Sequence, residues 1–338
     1  MPTIKDVAKH AGVAPITASR VINNAGYVSE DTRKRVETAI ANLGYIPNRV
    51  ARSLRSKQTH TLALVLTDIT NPFWTTVARG VEDAASMDGF SVILCNTDES
   101  DTKQDAYVGL LLQRQVDGFL LVPSESSGHA LSLIQKQGVP VVVLDRKVPY
   151  DVDTVRSDSV TGAAQLTRLL LDLKHRRIAI LTGPRDISTA TDRVKGYRLA
   201  MAEAGVPVDE RLICYGAFTQ QGGYAMSQAV LEVKPRPTAI FAGNNFIAVG
   251  VLRAFRESGL AVPDNLALVA FDDLPPTYVI DPFLTVAAQS AYEMGQMATR
   301  LLLQRMDGLS IGPSQEVLLP TQLIVRKSSG RALNTDAL

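Results

Sequence analysis

From Thr61 onward the chain alternates short apolar runs with amphipathic stretches of helical length, and few folds satisfy that pattern. The runs Leu62–Leu66, Val92–Cys95, Gly118–Val122 and Val139–Leu144 form one set; Arg177–Leu181, Ala239–Phe241 and Leu266–Phe271 form a second. They read as strands covered on both faces. Helical stretches such as Phe73–Met87, Thr161–Leu173, Arg193–Ala204 and Phe246–Ser258 separate them. Such βαβ alternation predicts an α/β core of doubly wound parallel sheets. The pattern runs twice, as strand, polar loop and a helix ending at Asp88-Gly89 or Ala204-Gly205. Two similar lobes are expected, about 61–159 and 160–288. The chain from about 289 crosses back, with 289–318 finishing the first lobe and 319–330 the second. A 338-residue chain with 46% hydrophobic residues has enough apolar material for both.

The first 46 residues follow a different rule. Thr3 and Asp6 have capping-box spacing, and Ile4, Val7, Ala8 and Ala11 recur at helical spacing before Gly12. A second helix begins at Pro15, where a missing N–H costs nothing, and turns Ala18, Val21 and Ile22 inward. A third opens at Ser29 with Glu30 and Asp31 at its positive end, buries Val36, Ala39, Ile40 and Leu43, and stops at Gly44. Two short helices joined by a glycine turn predict an all-α helix-turn-helix head over residues 1–46. The outward positions of its second helix, Pro15, Ile16, Thr17, Ser19 and Arg20, are short or polar, with an arginine one turn later. Such a face suits the major groove of DNA, where arginine pairs with guanine and small apolar groups touch thymine methyls.

Charge supports a polyanion as partner. Residues 1–60 carry ten Lys/Arg against four Asp/Glu, while the remainder carries twenty-five against thirty. Residues 47–60 read as a basic hinge. Arg49, Arg52 and Arg55 are placed to meet phosphates, with Ser53 and one prominent apolar side chain, Leu54, among them. A segment this short is a marginal helix alone and could fold on DNA with Leu54 wedged in the minor groove. A solvated linker with a stray leucine is the plainer alternative.

The motifs Thr3-Ile-Lys-Asp-Val-Ala-Lys-His-Ala-Gly-Val13, Thr17-Ala-Ser-Arg-Val-Ile-Asn23, Leu43-Gly-Tyr-Ile-Pro-Asn48 and Ala51-Arg-Ser-Leu-Arg55 resemble the head of the lactose-repressor (LacI/GalR) family. The likeness runs through 55 residues without a gap. It implies that Pro15, Ile16 and Arg20 read bases and that Leu54 is an intercalating hinge leucine. Thr3 and Asn23 belong with the DNA-contacting set on the same ground. Ala14 stands where the family usually has a serine cap, a loss of about 0.5–2 kcal/mol of helix stability.

In open α/β sheets, ligands bind beyond the carboxyl ends of the strands. Phe73 and Trp74 follow the first run; Asp145 and Arg146 follow Val141–Leu144. Thr189 and Arg193 come after Gly183-Pro184, Phe218 after Ile213-Cys-Tyr, Asn244 and Asn245 after Ile240-Phe241, and Asp272 and Asp273 after Val269-Ala-Phe271. Aromatic faces beside Asp, Asn and Arg suit a polyhydroxylated ring. Each residue has a plainer role open to it: core for the aromatics, a cap for Asp145, a surface ion pair for Arg193, a turn for Asp272-Asp273.

Asn71-Pro-Phe-Trp74, Arg193-x-x-Gly196-Tyr197, Gly259-Leu-x-Val-Pro-Asp264 and Phe271-Asp-Asp273 resemble the same family's effector core, which is similar to periplasmic sugar-binding proteins. The resemblance implies a pocket lined by Phe73, Trp74, Asp145, Thr189, Arg193, Phe218, Asn244 and Asp272. Asn245 departs from the family's frequent aspartate and is expected to make the pocket edge less acidic. Arg146 and Arg193 together leave a neutral sugar and an anionic sugar acid or phosphate equally open.

The chemistry for other classes is missing from the sequence. His10, His60, His129 and His175 are scattered, no Cys/His spacing suggests zinc, and no glycine-rich loop cradles phosphates. Asp145 and Asp272 could serve a glycosidase only as two carboxylates near a cleft. The expectation is a non-enzyme without cofactor, holding a small sugar or sugar-acid effector. Cys95 and Cys214 are expected as free thiols. The start of the chain lacks an apolar signal stretch and no run approaches a membrane span, so a cytoplasmic protein is expected rather than an exported sugar carrier. The remaining expected partners are a near-palindromic operator and a second copy of the chain, paired along Phe73–Met87. The residues after 326 lack leucine heptads for a tetramer.

Overall fold

A computed structural model describes residues 2–46, 58–124, 128–274, 282–309 and 312–330. The chain divides into two units, 1–59 and 60–338.

The first unit is a cluster of three helices. Helix α1 (Ile4–Ala11) opens on the Thr3 capping box: the Asp6 N–H donates to Thr3 Oγ1 at 3.4 Å and the Thr3 N–H to Asp6 Oδ2 at 2.7 Å. Gly12, at φ 63°, ends it in the left-handed conformation. Helix α2 (Pro15–Ile22) starts after Ala14 with no side-chain cap. Helix α3 (Glu30–Leu43) follows Ser29, whose hydroxyl turns to Thr32 Oγ1 rather than to the backbone. Val7, Ala8, Ala11, Ala18, Val21, Val36 and Ala39 form the shared core.

The second unit contains two six-stranded sheets built to one plan. The first has the order β11-β5-β4-β3-β1-β2, with β1 Thr61–Leu66, β2 Ser91–Asn96, β3 Gly118–Leu121, β4 Val141–Leu144, β5 Asp153–Ser157 and β11 Glu316–Leu319. The second has the order β12-β10-β9-β8-β6-β7, with β6 Ile178–Thr182, β7 Ile213–Tyr215, β8 Ala239–Ala242, β9 Ala267–Phe271, β10 Thr285–Gln289 and β12 Thr321–Ile324. Helices α4 (Pro72–Met87), α5 (Asp101–Gln113), α6 (Gly128–Lys136) and α11 (Ala291–Met306) flank the first sheet. Helices α7 (Ser159–Asp172), α8 (Ser188–Glu203), α9 (Gln220–Leu231) and α10 (Asn245–Glu257) flank the second. Where α4 meets α11 the backbones touch: a Cβ on Gly80 would lie 2.1 Å from the Tyr292 carbonyl oxygen, and one on Gly295 2.2 Å from that of Val77.

The chain passes between lobes at Asp158, Ser290 and Pro320. The last passage makes the second sheet mixed rather than wholly parallel, because β12 runs antiparallel to β10. The other strands of both sheets end toward the space between the lobes. A strand that enters directly from β11, with no crossover helix, must therefore run the opposite way. Among the described residues no helix is long and apolar enough to cross a membrane. Cys95 and Cys214 are free thiols.

Candidate ligand cleft and nucleic-acid interface

In the first unit, Pro15 and Arg20 are exposed and Ile16 is 61% exposed, whereas Ala18 and Val21 are buried. Thr17 and Ser19 are half-buried, and Asn23 donates from Nδ2 to the Ser19 carbonyl at 2.8 Å, bracing the end of α2. The Thr3 hydroxyl is occupied by Asp6 at 2.7 Å, so its role in this structure is the cap. Arg49, Arg52, Ser53, Leu54 and Arg55 lie outside the described residues.

In the second unit a cavity of about 310 Å³ opens between the lobes at the carboxyl ends of the strands. Phe73, Trp74, Asp145, Arg146, Thr189, Arg193, Phe218, Asn244 and Asp272 all line it. The fold explains why. Asn71 caps α4 by accepting from the Phe73 N–H at 3.0 Å, which fixes Phe73 and Trp74 in the first turn, edge to face at 4.8 Å. Asn244 caps α10 through Ile247 and donates to the Phe218 carbonyl at 3.2 Å, holding that loop. The Phe218 ring lies over Gly183, where a Cβ would come within 2.0 Å of it.

Two carboxylates and one guanidinium dominate the electrostatics. Arg193 is 3% exposed, stands 4.1 Å above the Phe271 ring and donates from Nη1 to the Gly243 carbonyl at 2.5 Å, while its Nε has no partner among the described residues. Burial pulls its pKa down, opposed by the charges of Asp272 and Asp145. Burial pushes Asp272 up to about 6, although Arg193 and a hydrogen bond from Gln289 at 2.5 Å both act to lower it. Asp145 is likewise raised by burial against the pull of Arg193 and Arg146, and its Oδ1 has no partner among the described residues. Unpartnered buried acceptors and donors around a cavity are hydrogen-bonding capacity held for a ligand.

Arg146 lines the cavity as the sequence suggests, but with a partner the sequence did not reveal. Its two terminal nitrogens reach Glu99, Nη1 at 2.8 Å and Nη2 at 2.5 Å, and Nη1 also donates to the Pro123 carbonyl at 2.5 Å. It lines the cavity as half of an ion pair, not as a second cation beside Arg193. Asn245 also differs: it is fully buried and does not line the cavity, and instead exchanges amide hydrogen bonds with Asn71 across the lobes at 3.0 Å each way. Sequence reasoning missed Glu99, Asn71 and Gln289 as lining residues. Glu99 had a usable signal, since it follows the Val92–Cys95 run as the other site residues follow theirs. Asn71 had one too, standing in the Asn71-Pro-Phe-Trp74 motif after the first run, whereas Gln289 had none, its partner Asp272 being remote in sequence.

A two-lobed α/β core closing on a polar cleft, joined in one chain to a helix-turn-helix head, defines a ligand-responsive DNA-binding protein. The chain belongs to the lacI family of bacterial regulatory proteins and is a transcription regulator. The family's DNA-binding profile, "Bacterial regulatory proteins, lacI family", matches residues 3–48, and "Periplasmic binding proteins and sugar binding domain of LacI family" matches residues 59–324. The chain is 36% identical over 332 residues to the ribose operon repressor of Escherichia coli K12, covering 97% of this chain and all of that one. It superposes on a lac repressor dimer bound to operator and the anti-inducer ONPF with a TM-score of 0.84 at 28% identity, covering 97% of this chain and 99% of that one. A complex of the transcriptional regulator CelR with cellobiose gives a TM-score of 0.74 at 35% identity, covering 97% and 100%.

Proposed function

We propose that this protein is a repressor that binds a near-palindromic operator as a homodimer and is controlled by a small sugar held between the lobes. The observation that carries the reading is the pairing, in one chain, of the exposed Pro15–Ile16–Arg20 face with the cleft around Arg193, Asp145 and Asp272. Hydroxyls of a sugar ring donate to the two carboxylates and accept from Arg193, and Phe73, Trp74 and Phe218 cover its apolar face. The lac repressor complex with operator and the CelR complex with cellobiose support both halves. The protein acts by binding, not catalysis, and in the cytoplasm, where its DNA is.

The three interlobe passages allow one lobe to turn against the other when the cleft fills. Coupling of about 1–3 kcal/mol between cleft and operator is the ordinary size for such a device. The full-length protein should select genomic fragments sharing an inverted repeat, with affinity falling steeply as salt rises. One of a panel of sugars should change that affinity by about fivefold or more. Selection no better than for scrambled DNA would sink the operator reading, and indifference to every sugar would sink the effector reading.

A further inference from the structure

Two guanidinium groups face the cleft, and each is already matched by acid. Arg193 lies in the field of Asp145 and Asp272. The side chain of Arg146 is 5% exposed and bound by both oxygens of Glu99, itself 37% exposed. Against two cations stand three carboxylates at the centre of the site, with Asp68 and Asp98 further along its wall. Asp98 is engaged separately by Lys103 and by Asn96 Nδ2 at 2.7 Å. A ligand bearing a carboxylate or phosphate adds like charge to a site where the dielectric is low and screening poor. It would meet Arg146 with its charge already matched by the Glu99 carboxylate on both terminal nitrogens.

The backbone is arranged to deliver that glutamate. Asp98 and Glu99 stand at φ 53° and 58°, a left-handed conformation that costs a non-glycine residue free energy and here occurs twice in succession. Asn96 holds the loop, donating to Asp98 and accepting from the Ile69 N–H at 2.8 Å. With the next turn starting α5 at Asp101, Glu99 is directed at Arg146 by a braced loop rather than by a free surface side chain.

We propose that Glu99 sets the charge selectivity of the cleft: by occupying Arg146 it restricts the effector to uncharged polyhydroxyl compounds and excludes sugar acids and sugar phosphates. The proposal rests on the cleft being the sugar site. Replacing the carboxylate by an amide of the same shape removes the charge that matches Arg146 and turns an NH2 group toward the guanidinium, so a carboxylate or phosphate of the ligand competes for it on better terms.

The test is calorimetric titration of the full-length protein at about pH 8 with inorganic phosphate, D-glucose, D-glucuronate, D-ribose and D-ribose 5-phosphate. Wild type, Glu99→Gln and Glu99→Asp are compared. Glu99→Gln should bind phosphate and the charged sugars about tenfold tighter than wild type or more, and the gain should vanish when Arg146→Gln is added. Glu99→Asp, which keeps the charge, should still exclude them. Equal anion affinity in wild type and a cooperatively folded Glu99→Gln overturns the proposal, as does a wild type that binds a charged sugar as well as its neutral counterpart. Should Glu99→Gln fail to fold, Glu99→Ser carries the same test, with the same gain in anion affinity expected and its absence overturning the proposal. A phosphate gain in Glu99→Gln with no uncharged sugar bound by any form would sink the sugar reading and leave the anion exclusion standing.

Discussion

The two lobes put an aspartate at the same backbone position and surround it differently. Asp145 follows β4 and Asp272 follows β9, at φ 63° and 65°. Each N–H donates to the neighbouring strand, to the Val155 carbonyl at 2.9 Å and the Ala287 carbonyl at 3.0 Å. The next residue reverses its charge between lobes: Arg146 turns to Glu99, whereas Asp273 is bound by Arg326 at 2.8 and 2.6 Å. Both lobes thus neutralise that residue internally and leave the aspartate for the cleft. They differ in what the aspartate receives, since Gln289 donates to Asp272 and the Oδ1 of Asp145 has no partner among the described residues. The repeated fold supplies the backbone position, and the ligand chemistry comes from side chains that the repeat does not share.

Arg193 is the group both aspartates share, so its removal is the strongest way to break the comparison. Arg193→Ala should weaken effector binding by about a hundredfold or more, roughly 3 kcal/mol, by leaving two buried carboxylates without their cation. Double-mutant cycles of Arg193→Ala with Asp145→Asn and with Asp272→Asn read how that guanidinium is divided. Similar coupling energies fit a shared cation; coupling to one aspartate alone would assign Arg193 to a single lobe.

Burial raises both aspartates, and the consequence can be worked out at Asp272. Asp272 has a folded-state pKa of about 6 against 3.8 in the unfolded chain, so between those values the folded core holds a proton that the unfolded chain has released. Stability from this group is therefore full below about pH 4 and is lost as pH rises to about 6. The loss is roughly 3 kcal/mol, at about 1.4 kcal/mol per unit. Asp272→Asn should accordingly melt above wild type at about pH 8 and close to it near pH 4, while binding effector more weakly. In wild type the effector Kd should rise about tenfold from pH 7 to pH 5 as Asp272 takes up its proton. That rise should survive Asp145→Asn; if it disappears there instead, the titrating aspartate belongs to the other lobe.

Much of this was legible in the chain because local rules decided it. The Thr3 capping box, the glycine stops at Gly12 and Gly44, and the missing cap at Ala14 depend only on neighbours within four residues. The nine cleft residues chosen from the sequence share one cavity because strand ends in both sheets converge on it. Pairing was not legible. Nothing near Arg146 announces that Glu99, 47 residues away, binds it, and nothing near Asn245 points to Asn71 at a separation of 174. The direction of β12 depends equally on long-range geometry, since it follows from where β11 ends and not from the composition of either strand.

The Asn71–Asn245 pair is one of the points where the lobes meet directly, beside Lys147 N–H to Ser188 Oγ and Arg156 to Asp192, and it carries the smallest and most specific prediction. Each amide donates once and accepts once across the cleft, and Asn71 Oδ1 also caps α4 through Phe73. The pair is uncharged, so closure at this contact is independent of pH. Asn245→Asp keeps the acceptor for Asn71 Nδ2 but, once ionised, has no donor to return, and it places a charge at a fully buried position. Burial raises the pKa of such a carboxyl, and its protonated form can again donate to Asn71 Oδ1. The variant should therefore match wild type in thermal melts at low pH and fall behind by about 1 kcal/mol as pH rises. Scattering from the variant should show a more open core under the same conditions. A deficit of equal size at both ends of the pH range would mean that shape, not charge, holds the two helix starts together.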